Sequence, residues 1–251
     1  MKLALIVALG GPLVVAVLSE RTRIEFKPYM DKADSQMLAR AVSEDRLPAG
    51  AGLAPVIRPW DGKGLHEIHG GLIHDWIGSV FVPNGTAAGA VAVLQDVDRY
   101  KEIYAPACLA SRLVSRDGNR LKASMRVVKK KVIEVVLDTE YDVEYKRFPN
   151  GRWQVWSRST RIAEIEGAGT RSEKASPPDT GWGFLWRLNT YWQIEEREGG
   201  VYMECRAISL TRDIPIGLAW IVKPMVTSLP RESLAATLED TRRAVAARPK
   251  A

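Results

Sequence analysis

The sequence predicts an α+β fold: an antiparallel sheet of seven strands, with its helices gathered on one side. Three observations carry that prediction. The stretch "VIEVVLDTEYDVEYKR" (132–147) alternates apolar and acidic residues along most of its length, the period of a strand with one wet face. Its neighbours are joined by short turn sequences, Arg116-Asp117-Gly118, Phe148-Pro149-Asn150-Gly151 and Glu198-Gly199-Gly200, which suit antiparallel hairpins. From Pro215 onward the apolar residues fall at helical spacing and no strand pattern returns.

The elements follow in order. After Lys2 the chain has an uncharged, mostly apolar run from Leu3 to Leu18, broken by Gly10-Gly11-Pro12. That is short of the about 20 apolar residues a spanning helix needs. With Val17 and Ser19 ahead of a cleavage point, residues 1–19 read as a secretory signal peptide, and the mature protein as exported, periplasmic or secreted. An uncleaved membrane anchor and a buried N-terminal strand are the alternatives. Residues 20–70 read as a leader segment, with one amphipathic helix over 31–45 and a Pro/Gly-rich connection over 46–64.

The main domain spans 71–248. "LIHDWIGSVFVP" (72–83) is its first strand. "GTAAGAVAVLQDVDRYKEIYAP" (85–106) holds two short helices, with Thr86 as N-cap and Pro106 closing the second. Six strands follow, over 108–115, 119–128, 132–147, 152–166, 183–198 and 201–212. The tight basic run Lys129-Lys130-Lys131 reads as a solvated turn between two of them, with a phosphate or lipid-headgroup patch as the alternative. In the final helical region Pro224 and Pro230 divide the chain and Ser228 caps the last piece. Leu234, Leu238, Thr241 and Val245 give that piece one mostly apolar stripe.

Composition is that of a soluble globular protein: 251 residues, 46% hydrophobic and 26% charged. The net charge of +6 is spread along the chain and no nucleic-acid motif accompanies it, so no nucleic-acid partner is expected. Two cysteines, Cys108 and Cys205, make neither a disulfide framework nor a cysteine zinc site.

The order strand, two helices, six strands, long helix resembles the helix-grip fold of START-type lipid-transfer domains, the birch-pollen-allergen family, coenzyme Q-binding proteins and polyketide cyclases. The residues carrying the likeness are "LQDVDRYKEIYAP" (94–106), similar to the family's helix-to-helix stretch, and "LPRESLAATLEDTRRAV" (229–245), similar to its long final helix. The likeness covers about Gly71 to Arg248. It implies a curved seven-stranded sheet wrapped around that helix, with an apolar cavity between them that holds a lipid or another hydrophobic ligand. The N-terminal segment and the long 167–181 loop depart from the pattern.

Alternation assigns the faces. Arg158, Arg187, Glu204 and Arg206 fall on the outer face, with the acidic residues of 132–147. Arg158 and Arg161 are three apart and so point oppositely, which places Arg161 inside. The inner face is apolar and aromatic, with Tyr141, Ser159, Arg161, Thr190 and Ser209 as its polar members and Trp192 among its aromatics. Those six residues are the expected ligand-binding set: apolar walls with a few placed polar groups, and an arginine suited to a carboxylate or phosphate head. Arg161 equally suits a snorkelling or structurally paired role, and the aromatics a packed core.

His66, His69 and His74 cluster in sequence, but Gly70-Gly71 interrupts them and no metal site is expected. Phosphate-loop, nucleophile-elbow and zinc-protease motifs are absent. The expected function is therefore binding or transfer of a hydrophobic small molecule, such as a lipid or quinone, by a monomer with transient membrane contact and no cofactor. The alternatives are a polyketide cyclase or dehydratase, with Tyr141, Arg161 or His74 as acid or base, and a scaffold whose cavity its own side chains fill.

Overall fold

The computed structural model describes residues 15–45, 54–130, 134–213 and 219–248, with side chains described in all of these but 219–227. Seven long strands form the body of one antiparallel sheet, in the order β4 (Gly71–Pro83), β12 (Gly200–Arg212), β11 (Arg187–Arg197), β8 (Trp153–Glu166), β7 (Glu134–Arg147), β6 (Arg120–Lys130), β5 (Cys108–Asp117). This is the expected α+β helix-grip arrangement, with a few short strands added, among them β9 (Lys174–Ala175) beside β8. Two of them, β2 (Val56–Pro59) and β3 (Leu65–Ile68), pair with β4, at Trp76–Ser79 and at Gly71–His74. Both come from the 20–70 segment read as a leader, β2 from within its irregular connection and β3 from just after it.

The sheet closes around α4 (Ala219–Ala246) and the short helices α2 (Ala87–Gln95) and α3 (Tyr100–Ile103). Thr86 caps α2 as expected, its hydroxyl accepting from the Gly89 N–H at 3.0 Å. The α4 helix runs unbroken through Pro224 and Pro230 rather than ending at them, and Ser228 lies within it. A proline removes only its own bond to the preceding turn, and tertiary packing holds the rest. Leu234 and Leu238 are buried against the sheet. Leu238 comes close because Gly78 lies beneath it: a Cβ there would meet the Leu238 Cδ1 at 2.5 Å.

The N-terminal segment differs most from expectation. Its helix, α1 (Glu20–Val42), begins at Glu20 rather than 31 and lies on the convex face. Phe26, Ala33 and Met37 are buried with Tyr191, Ile208 and Leu210. Ser19 is its N-cap, accepting from the Thr22 N–H at 3.0 Å. Just before it, β1 (Ala16–Val17) pairs with β10 (Thr180–Gly181), and Leu18 is 2% exposed. Residues 16–45 are thus packed on the domain they were expected to precede.

That helix also explains why two outer-face residues are not at the surface. Glu204 and Arg206 are each 1% exposed, because α1 covers them. Arg206 binds Asp75 through two nitrogens, at 2.9 and 2.6 Å, donates to Gln36 and stacks on Trp60. Tyr29 completes the Asp75 carboxylate at 2.7 Å. Arg40 of α1 takes Glu204 in a second bidentate pair. Gln154 and Gln193 both donate to the Met37 carbonyl, and Arg152 caps the helix end through the Arg40 and Asp45 carbonyls.

Candidate functional site

The concave face has two unlike halves. Toward α2 it is a close-packed apolar core of Val80, Val82, Tyr145, Trp192 and Met203 against Leu238 and Val245. The Tyr145 hydroxyl is spent on the Leu94 carbonyl at 2.5 Å. Trp192, one of the six expected ligand residues, belongs to this core and is 6% exposed.

The other half carries the polar residues. Strand register sets Tyr141 beside Ser159, Leu188 beside Ser209, and Ser209 beside His74. The Leu188 N–H donates to the Ser159 hydroxyl at 2.9 Å, which closes the row across β7, β8, β11, β12 and β4. The neighbouring row holds Ser157, Thr190 and Ala207, all half-buried in the middle of the sheet, whereas Val155 and Cys205 beside them are buried. Four of the six expected site residues, Tyr141, Ser159, Thr190 and Ser209, are therefore brought together.

Burial sets the chemistry of this half. It pushes Tyr141 up to about 12, with a hydrogen bond from Thr139 opposing the shift. It pushes His74 down to about 4, so the imidazole is neutral at pH 7. One His74 nitrogen, Nε2, lies 3.1 Å from the Thr211 hydroxyl, while the other, Nδ1, is buried with no hydrogen-bond partner.

Arg161 does not join them. Tyr141 pairs with Ser159 but Glu140 with Arg161, so Thr160 is an extra residue in β8. Such a bulge inverts the alternation beyond it. Arg161 accordingly turns outward, a third exposed, and meets Glu140 at 3.5 Å. The same inversion brings Ile162 and Glu164 onto the concave side. Glu164 is buried and accepts from the Trp182 and Phe184 N–H groups at 2.6 and 2.9 Å. Burial raises its pKa despite those bonds.

Lys129 was missed from sequence because three consecutive lysines resemble a turn. It lies inside β6, paired with Val135 on the concave side, and burial lowers its pKa against the pull of Asp240 on α4. Of the pockets lined by described residues, one lies at the end of α1 around Arg40 and Asp45 and one at the β7–β8 turn around Phe148. Both are outside the concave face.

No family model and no curated protein matches the chain. Solved structures resemble it in fold. The human StarD13 lipid transfer and protein localization domain is 12% identical and covers 90% of this chain and 97% of its own, with a TM-score of 0.49. A STAR-related lipid transfer protein fragment from Xanthomonas axonopodis is 17% identical, covering 72% and 99%, with a TM-score of 0.47. The Zhui aromatase/cyclase from Streptomyces is 12% identical, covering 68% and 93%, with a TM-score of 0.43.

Proposed function

We propose that this chain binds or transfers a hydrophobic ligand, a lipid or similar molecule, held between the polar half of the concave face and α4. The observation that carries the reading is the pairing of incomplete burial with incomplete satisfaction. Ser157, Thr190 and Ala207 are half-buried in mid-sheet, and the His74 Nδ1 atom is buried without a partner. Apolar walls with a few placed polar groups are the composition of a small-molecule site, and a buried polar atom without a partner marks a place for a ligand or water.

The alternative reading, a cyclase-like enzyme on the same face, is less well supported. His74 near 4 is a weak base and Tyr141 near 12 a weak acid, both far from the neutral range where acid–base catalysts work best. Extraction of the purified protein into organic solvent, followed by mass spectrometry, tests the binding reading. A stoichiometric apolar molecule, or its uptake when offered, is the expected result. An empty protein that takes up no apolar probe overturns it.

We propose further that the chain keeps its N-terminal segment uncleaved. The pairing of Ala16–Val17 with Thr180–Gly181, the burial of Leu18 and the capping by Ser19 support retention over cleavage after Ser19. N-terminal sequencing of the purified protein tests this. A mature chain beginning at Glu20 overturns it.

A further inference from the structure

Lys129 and Lys130, neighbours after Val128, do not share a fate. Lys130 is exposed and meets Glu134, its partner on β7, at 2.7 Å. Lys129 points the other way, onto the face that carries Ala123, Met125 and Val127 on the same strand. Its amino group is withdrawn from water, and the charge it feels most is Asp240 of α4. That carboxylate is already bonded by Arg243 one turn along the helix. Among the described residues the Lys129 amino group makes no hydrogen bond or ion pair.

A half-buried ammonium with no hydrogen-bonded counter-charge is a costly arrangement, and an incoming anion relieves it. The surroundings say which kind of anion. On the same face Val127 pairs with Leu137 and Met125 with Thr139, so the wall leading away from Lys129 is mostly apolar. The polar row begins where Ala123 pairs with Tyr141. At about 3.3 Å per residue, that path along β6 is roughly 20 Å, the reach of a long chain. We infer that Lys129 anchors the anionic head of the ligand, and that the ligand is an acidic amphiphile with a long acyl chain laid along the concave face toward Thr190. This rests on the ligand-binding reading above and names the head group and tail that reading leaves open.

The test compares oleic acid with methyl oleate, which share a tail and differ in the head charge. Wild-type protein is expected to hold oleate more tightly than the ester. Lys129→Met should weaken oleate by roughly 10- to 150-fold, the worth of a hydrogen bond to a charged group, and leave the ester unchanged. Lys129→Arg should keep most of the preference, and it decides the matter together with the wild-type preference if Lys129→Met does not fold. Equal wild-type affinities for acid and ester overturn the inference and leave the ligand-binding reading standing. So does a Lys129→Met protein that melts far lower yet binds oleate as before, since Lys129 is then the structural partner of Asp240. Failure of the wild type to bind either molecule overturns both readings.

Discussion

His74 and Asp75 are neighbours on one strand and almost equally buried, at 1% and 0% exposed, yet they belong to different kinds of interior. Asp75 faces α1, where Arg206 and Tyr29 satisfy its carboxylate. His74 faces α4 and keeps one ring nitrogen without a partner. The contrast extends across the sheet. On the convex face Glu204 is answered by Arg40, and Arg152 by Glu195 and helix carbonyls. On the concave face Lys129 is half-buried beside a carboxylate bonded elsewhere. The convex face pairs its buried charges within the chain, even though the Arg152 Nε, Gln154 Oε1 and Gln193 Oε1 atoms there have no hydrogen-bond partner; the concave face leaves an ammonium without a bonded counter-charge.

The largest expected effect lies on the convex side. Arg206→Met strands a buried Asp75 and should cost about 3–5 kcal/mol of stability in a urea melt. Adding Asp75→Leu should recover most of that loss. A single variant that loses under about 1 kcal/mol would erase the distinction between the faces. In the apolar half of the concave face, Leu238→Ala should cost about 2–5 kcal/mol, because the residue is fully buried.

His74 sharpens the contrast through pH. Its folded pKa of about 4 lies below the about 6.5 of an unfolded histidine. Between those values the unfolded chain binds a proton that the folded chain does not. Stability should therefore fall as pH drops through that window, by up to about 1.4 kcal/mol per pH unit, and level off below it. His74→Leu should flatten the slope, read from urea melts at a series of pH values. Smallest of all, Arg161→Met removes an exposed ion pair and should change stability by at most about 1 kcal/mol, with no effect on ligand affinity. A large loss of affinity in that variant would return Arg161 to the site.

How much of this was legible depended on whether the signal was local. The alternation of β7 placed Tyr141 on the concave side because both of its faces are written in consecutive residues. The inversion at Thr160 has no such mark: β8 reads as an uninterrupted strand, and only pairing with β7 shows the extra residue. That single residue exchanged Arg161 for Glu164. The full extent of α1 was in the sequence, since Phe26, Met30, Ala33, Met37 and Ala41 follow helical spacing. The stripe is faint because Asp34, Gln36 and Arg40 beside it also meet the sheet. Composition could not show that Glu204 and Arg206 are covered, because their partners lie far away on α1.

The most direct test is a titration with a fluorescent long-chain fatty-acid analogue, run on wild-type protein and on Thr190→Trp, which fills the middle of the concave face. Wild-type protein is expected to take up one molecule of the analogue, and Thr190→Trp to take up none while melting near the wild-type temperature. Uptake by Thr190→Trp equal to that of the wild type would contradict the account, because the ligand would then lie somewhere other than the concave face.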